Sequence, residues 1–298
     1  MMSKLKNIQL IGLLLFSIAT SFSLYSQEPE EDVIDFLLDD LFFNDKEFID
    51  DILESLNTYN YIYTSVSYNS NTFFSGRDSG INQFNLVPQI AYYSSSGFNL
   101  SVSGQYYEVF EPNWDLTNLS IGYANRLGKE KQVNYSVGYT RFFYSDGWDG
   151  FTNSFDLNLG IKNKQRNLGA KIAATYLFGT DHSFQIRPLI YGIINISKNT
   201  KYSLKFKPQL NFIIAQQTLA LEKLIGQGVN TEVEYVYEDV FDLFNSQINL
   251  PVSLTTKSWN LELGYNLNLP NAVATEPQLN TTSFFNLSVG YLFDLKKI

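Results

Sequence analysis

The stretch WNLELGYNLNL, residues 259–269, decides the fold because apolar and polar residues alternate through it without interruption. Every odd-numbered residue in the stretch is aliphatic or aromatic. The even-numbered residues are polar or small: Asn260, Glu262, Gly264, Asn266 and Asn268. Successive side chains of a β-strand point to opposite faces of the sheet, so the stretch predicts a strand with one apolar and one polar face.

The same alternation recurs along most of the remaining chain. Twelve segments show it: residues 59–68, 83–93, 98–108, 116–126, 132–144, 153–163, 168–179, 184–196, 202–215, 247–256, 259–269 and 283–295. Segments of this length suit tilted membrane strands, which need about 9–11 residues, better than soluble strands, which average about five or six. A soluble two-sheet sandwich is the alternative, but it would have to cover the apolar faces of twelve long strands.

The connections between the segments alternate between short turns and long polar loops. The long connections include residues 69–82, 145–152, 216–246 and 270–282. Outer-membrane barrels combine short periplasmic turns with longer external loops in this way. The sequence therefore predicts an all-β fold, a transmembrane antiparallel up-and-down β-barrel of about 12 strands spanning residues 58–298. One merged or missed pair of segments would make the number 10 or 14.

The beginning of the chain has the features of an export signal. Lys4 and Lys6 precede an apolar run over residues 8–22, and residues 1–27 contain no acid. This order predicts a secretory signal peptide over residues 1–26, with an N-terminal membrane anchor as the alternative. The predicted product is located in the cell outer membrane of a Gram-negative bacterium and contacts its lipid.

Residues 27–57 form a separate acidic segment, predicted to be a short N-terminal helical extension in the periplasm. Residues 28–54 contain twelve acids and Lys46 as the single base. Asn44 and Glu47 have the spacing of a helix capping box, followed by apolar residues at helical intervals. Three interpretations remain open: a plug that docks into the barrel, a site for a periplasmic protein partner, or a solvated leader.

Composition excludes several kinds of chemistry. The chain has no Cys and one His, which excludes disulfide scaffolds, thiol catalysis and multi-histidine metal sites. His182 lies in a predicted loop beside Asp181 and Ser183, which point away from it in an extended chain, so we expect no barrel hydrolase and no enzyme. No metal site or cofactor is predicted, because the loop acids show no specific ligand spacing: Asp146, Asp149, Glu232, Glu234, Glu238 and Asp239. The balanced barrel and acidic leader give no support for nucleic-acid binding.

Charged residues on the polar faces of the strands are the candidate site, because those faces line the interior. The predicted lumen-lining charges are Asp156, Lys162, Lys171, Arg187, Lys205, Lys207 and Glu262. The four lysines fall in the periplasmic half of neighbouring strands and would favour anions in an open pore. The alternative is a narrow barrel filled by salt bridges among these groups.

Two other features depart from a simple barrel. Arg141 falls on the lipid-facing side of its strand, where snorkelling to head groups or lipid phosphates, or a local bulge, would relieve its cost. The loop 216–246 either extends its strands as a hairpin or folds into the lumen as a constriction, and residues 219–225 fit one or two helical turns. This loop and residues 30–57 are the predicted contacts for an envelope protein partner.

The chain resembles the small outer-membrane β-barrel proteins of flavobacteria (Bacteroidota). The resemblance rests on the segment LYSQE at residues 24–28, the Asn- and Tyr-rich strands and the closing segment FFNLSVGYLFDL at residues 284–295. It implies the barrel fold and the outer-membrane location, and it implies no specific activity. The function expected is a narrow channel for small hydrophilic solutes, anionic ones included; the alternative is a non-conducting barrel that serves as a scaffold or accessory subunit of an envelope complex.

Overall fold

The structure, a computed structural model, describes residues 60–74, 77–78, 81–127, 132–199, 201–225, 232–256, 258–273, 276 and 278–295. The predicted signal peptide and acidic extension, residues 1–57, lie outside the described residues. The strands are β1 (Asn60–Asn69), β2 (Phe73–Phe74), β3 (Arg77–Asp78), β4 (Asn85–Ser94), β5 (Phe98–Tyr107), β6 (Trp114–Leu127), β7 (Val133–Tyr144), β8 (Asn153–Lys162), β9 (Leu168–Phe178), β10 (His182–Gly192), β11 (Ile194–Lys198), β12 (Tyr202–Phe206), β13 (Gln209–Ile225), β14 (Glu232–Thr256), β15 (Trp259–Pro270) and β16 (Thr282–Asp294).

The strands form a closed antiparallel barrel. β1 pairs with both β4 and β16, and β14 pairs with β15, so the sheet has no free edge at its first or last strand. β10 continues into β11 and β12 continues into β13, so each pair makes one barrel strand, and β2 and β3 form a small separate hairpin. The predicted 12-strand barrel is therefore confirmed.

The barrel has apolar side chains on its outside and polar side chains on its inside, the opposite of a soluble protein. Large apolar side chains cover the outside: Ile90, Leu263 and Phe285 are 60%, 57% and 57% exposed. Polar side chains such as Asn158 and Ser253 are buried on the inside. An apolar outer surface around a closed, hydrogen-bonded sheet is the arrangement that lipid requires, because lipid cannot satisfy open backbone groups. Among the described residues no helix is long and apolar enough to cross a membrane.

Aromatic side chains lie on the outer surface near both ends of the barrel. At the end with the short turns, the ring centroids of Trp259 and Tyr291 are 4.8 Å apart. At the opposite end, which we call the long-loop end, Phe155 and Phe178 stack at 5.3 Å. Aromatic girdles mark the two membrane interfaces of such barrels, so the strands between them span the bilayer.

The loop predicted at residues 216–246 is largely strand. The backbone pairing of β13 with β14 continues from Gln216 opposite Phe241 to Ile225 opposite Glu232. This confirms the hairpin alternative, and the helical turns considered for residues 219–225 are wrong. The pairing register of β13 with β14 shifts between Ile213 and Ile214. This shift separates the hairpin from the regular barrel strand.

Candidate functional site

The barrel interior is lined by polar side chains and contains a cavity of about 300 Å³. Its lining comes from six strands, β9, β10, β13, β14, β15 and β16, together with Asn69 of β1. Three of the predicted charges border it directly, namely Lys171, Arg187 and Glu262. A second cavity of about 80 Å³ lies against β4 to β7 and has no charged residue in its lining.

Strand register places six of the predicted charges on the inner face, and Lys207, between β12 and β13, is buried; we call the seven residues the charged wall. Lys171 pairs with Leu189 and Arg187 with Ala173, and both partners are buried inside the barrel. Lys205 pairs with Ser253, which pairs with Glu262, so these three lie in one row across three strands. The members of the charged wall are Asp156, Lys162, Lys171, Arg187, Lys205, Lys207 and Glu262.

Exposure differs sharply between the cations of the charged wall. Lys171, Lys205 and Lys207 are 4%, 7% and 1% exposed, so their ammonium groups are packed against the barrel wall. Arg187 lies on the same inner face but is exposed. Its side chain therefore borders the cavity inside the barrel, together with Lys171 and Glu262.

Hydroxyl groups hold the carboxylate of Asp156 in place next to Arg187. The Thr175 hydroxyl donates a hydrogen bond to Asp156 Oδ1 at 2.8 Å, and Ser154 donates to Oδ2 at 3.3 Å. Asp156 and Arg187 also attract each other electrostatically. Glu262 is 5% exposed and borders the cavity with Arg187. The two carboxylates therefore reduce, but do not cancel, the positive charge of five cations.

The opposite side of the lumen is almost uncharged, and we call it the uncharged wall. Many of its inward residues on β4 to β7 carry amides and hydroxyls; the charged residue that the register of these strands places inward is Arg126, one residue from the end of β6, and Asp115 is the unpaired residue where the β5–β6 register shifts. Ser120 and Thr140 share a hydrogen bond at 2.8 Å, and Asn158 of β8 donates to Ser136 of β7 at 3.0 Å. The lumen thus has one charged side and one side that offers neutral hydrogen-bonding groups.

Amide side chains that bond across neighbouring strands also line the lumen, and they are not among the predicted lumen-lining charges. Asn266 donates to Asn286 at 2.8 Å, and Gln247 donates to Asn268 at 2.9 Å. The signal for them was in the sequence, since Asn266 and Asn268 occupy the polar positions of the alternating stretch at 259–269. These pairs join neighbouring strands and leave further amide groups directed at the lumen.

An apolar cluster lies on the inner side near the long-loop end, and nothing in the alternation predicted it. Phe244, Val273 and Ala215 are 0%, 1% and 3% exposed and pack together. Phe244 is the extra residue where the β13–β14 register shifts, and Ala215 pairs with Gln185 on the inner face. Asn271 fixes the loop after β15 by donating its backbone N–H to the Phe244 carbonyl at 3.0 Å. The first part of this predicted outer loop therefore folds against the barrel wall.

The remaining candidates lie at the long-loop end. His182 is exposed at the start of β10, while Ser183 points inward and donates to the Gln216 carbonyl at 2.6 Å, so the two lie on opposite faces. Asp146 accepts the Trp148 backbone N–H at 2.8 Å, and Asp149 accepts the Thr180 hydroxyl at 3.2 Å. Within the described part of the chain, no three His, Cys, Asp or Glu residues are grouped as metal ligands.

These features define the class of protein: a closed antiparallel barrel with an apolar outer face and aromatic rings near both ends is an integral outer-membrane β-barrel. No family model and no curated protein matches its sequence. Among solved structures it is similar to the KdgM porin, with 10% identity, a TM-score of 0.43 and coverage of 78% of this chain and 98% of that one.

Two further solved structures are similar at the same level. The NanC porin has 10% identity and a TM-score of 0.44, with coverage of 77% of this chain and 98% of that one. An outer membrane channel from Pseudomonas putida F1 has 12% identity and a TM-score of 0.42, with coverage of 81% and 98%. These values describe a likeness between barrels and bear on neither solute nor mechanism.

Proposed function

We propose that the protein is a narrow outer-membrane channel for small hydrophilic solutes and that it prefers anions. The observation that carries the proposal is the position of Arg187, which is exposed although it lies on the inner face of a closed barrel beside a cavity of about 300 Å³. A filled barrel would leave no such space around an inward arginine. An accessible guanidinium in a protein-walled lumen attracts anions and repels cations.

The distribution of charge across the lumen supports the anion preference. The charged wall has five cations and two carboxylates, and Asp156 is held by Thr175 and Ser154. The uncharged wall opposite presents hydroxyls and amides such as Ser120 and Asn118. An anion passing between the two walls meets net positive charge on one side and hydrogen-bonding groups on the other, which replace part of its hydration.

Substitution of Arg187 tests the proposal. In planar bilayers, Arg187→Glu should lower the ratio of anion to cation permeability by about 25-fold, because it changes two unit charges near the solute path and each is worth ~1 kcal/mol, or about fivefold. The measurement is the zero-current potential under a salt gradient. Lys164→Glu is the matched control, because it makes the same charge reversal at a residue exposed in a short turn outside β8 and β9. Unchanged selectivity in Arg187→Glu would contradict the role of the charged wall.

The acidic segment at residues 27–57 fits the same proposal as a plug. Its eleven net negative charges over residues 28–54 would attract the lysines at the short-turn end, Lys162, Lys205 and Lys207 among them. The channel would then conduct less with the segment than without it. No observation on the described residues favours the non-conducting scaffold. If the protein conducts neither with nor without the acidic segment, the channel proposal is contradicted.

A further inference from the structure

A charged side chain lies on the lipid-facing surface of β7. Arg141 pairs with Leu119 of β6 and with Asn153 of β8, and Leu119 is 42% exposed on the outer face. Among the strand residues whose side chains the structure describes, Arg141 is the one charged residue that the register places outside. β7 pairs regularly through this position, so the bulge that could have turned Arg141 inward is not formed.

The groups that contact Arg141 are neutral. Its Nη1 donates a hydrogen bond to Asn153 Oδ1 at 3.1 Å, and its Cζ lies 5.6 Å from the ring centroid of Phe143. The Tyr139 hydroxyl donates to the same Asn153 oxygen at 2.7 Å. In the described part of the chain no carboxylate contacts this guanidinium. The described residues therefore leave the charge of Arg141 uncompensated in an apolar surface, where a charge is costly.

Asn153 orients the guanidinium. Its amide nitrogen donates to the Thr152 hydroxyl at 3.0 Å and to the Phe178 carbonyl at 3.5 Å. The amide oxygen is thereby directed at Arg141 and Tyr139. With Nη1 engaged in this bond, the guanidinium keeps further N–H donors for a ligand outside the barrel.

The position along the strand corresponds to the lipid head groups. Arg141 is three residues from the end of β7 at Tyr144, on the long-loop side. The outward rings beside it form a chain of contacts, Tyr139 to Phe155 at 5.4 Å and Phe155 to Phe178 at 5.3 Å. Aromatic girdles lie at the membrane interface, and long loops of these barrels face outward, so this end lies in the outer leaflet.

We propose that Arg141 and Asn153 form a binding site for the phosphate group of an outer-leaflet lipid. A guanidinium presents paired N–H donors that match phosphate oxygens, and such charge-assisted bonds are stronger than neutral ones. Phosphate supplies the negative charge that the surrounding residues lack, and the aromatic chain contacts the apolar part of the same molecule. The site holds a lipid against the outside of the barrel and is independent of conduction through the lumen.

Native mass spectrometry of the purified protein with bound lipid A tests the site. Arg141→Gln should lower the fraction carrying phosphorylated lipid A by about tenfold, as expected for loss of a charged hydrogen-bonding group. Arg141→Lys should give an intermediate loss, because an ammonium keeps the charge without the paired donors. Lys164→Gln, which removes the same charge from an exposed turn at the other end, should change nothing. Dephosphorylated lipid A should bind the unaltered protein as weakly as phosphorylated lipid binds Arg141→Gln.

Equal retention by the unaltered protein and Arg141→Gln would overturn the proposal, as would equal retention of phosphorylated and dephosphorylated lipid. Inorganic phosphate separates a lipid site from a general phosphate site. If millimolar inorganic phosphate displaces the lipid, the lipid part of the proposal is wrong; we expect the lipid to remain bound. Circular dichroism should show unchanged β-sheet content in Arg141→Gln, and Arg141→Lys provides the comparison if that variant does not fold.

Discussion

Thr175 donates its hydroxyl to the carboxylate of Asp156 across the β8–β9 pair, at 2.8 Å. The bond fixes a negative charge on the inner face, where it attracts Arg187 of the next strand. Asp156 thus weakens the positive potential that Arg187 contributes to the lumen. In the proposed channel the selectivity depends on this balance between a cation and its neighbouring carboxylate.

Removing the carboxylate should strengthen anion preference. Asp156→Asn keeps the size of the side chain and removes its charge, so the ratio of anion to cation permeability should rise by about fivefold, equivalent to ~1 kcal/mol. Zero-current potentials under a salt gradient measure this ratio. Thr175→Val is the control, because it removes the hydroxyl donor and leaves the charge of Asp156. A rise of equal size in Thr175→Val would show that the lost hydrogen bond, and not the charge, sets selectivity.

The apolar cluster at the long-loop end should limit conductance. Val273→Ala removes two methyl groups from the contact with Phe244 and Ala215, which weakens docking of the loop by about 1.5 kcal/mol. Single-channel conductance should therefore rise in the variant. Ile90→Ala is the control. Ile90 is 60% exposed on the outer face, so this substitution removes no contact from the lumen. Conductance unchanged from that of Ile90→Ala would mean that the loop does not narrow the path.

Close packing of a glycine and a tyrosine inside the barrel should be important for stability. Gly169 of β9 pairs with Tyr191 of β10, and a Cβ at residue 169 would collide with the tyrosine ring. Gly169→Ala should lower the free energy of unfolding by about 1–3 kcal/mol through overpacking. Gly192→Ala is the matched control on the next strand: its nearest neighbours would be 3.7 Å away, and its effect should stay within about 0.5 kcal/mol. Urea unfolding in lipid vesicles compares the two, and equal losses would contradict the packing argument.

Shortening the chain tests the acidic segment. We expect residues 55–298 to conduct more than residues 27–298, because the shortened protein lacks the negative charges proposed to dock near Lys205 and Lys207. The difference should shrink at high salt, which screens the attraction between exposed charges. Planar-bilayer recordings at two salt concentrations measure both effects. Equal conductance of the two proteins at low salt would contradict the plug.

Much of the barrel could be predicted because successive side chains of a membrane strand point alternately to the lipid and to the lumen. Apolar and polar residues therefore alternate along the sequence of each strand. The stretch at 259–269 predicted a strand that the structure contains as β15, in which Glu262 is buried and pairs with Ser253. Membrane strands are long enough to repeat the alternation five or six times. A small error in a predicted strand boundary, such as β10 beginning at His182, therefore does not change which residues face the lumen.

Other features depend on contacts between distant segments, which alternation does not encode. Val273 is buried because the loop after β15 packs against Phe244, the extra residue of β14. The sequence of neither segment indicates that the two segments contact each other. Arg187 and Lys171 have the same period-two signal, yet one is exposed in the lumen and the other is 4% exposed. The space around each cation is set by the side chains of neighbouring strands, so only the folded barrel distinguishes them.

The zero-current potential of the protein, residues 27–298, in a planar bilayer under a salt gradient tests the central claim most directly. An open lumen with a net positive charged wall predicts a stable conductance whose zero-current potential has the sign for anion movement. The potential should move toward the cation direction in Arg187→Glu and further toward the anion direction in Asp156→Asn. A membrane that stays insulating with folded protein inserted, or a potential with the cation sign, would contradict the channel proposed from Arg187 and its cavity.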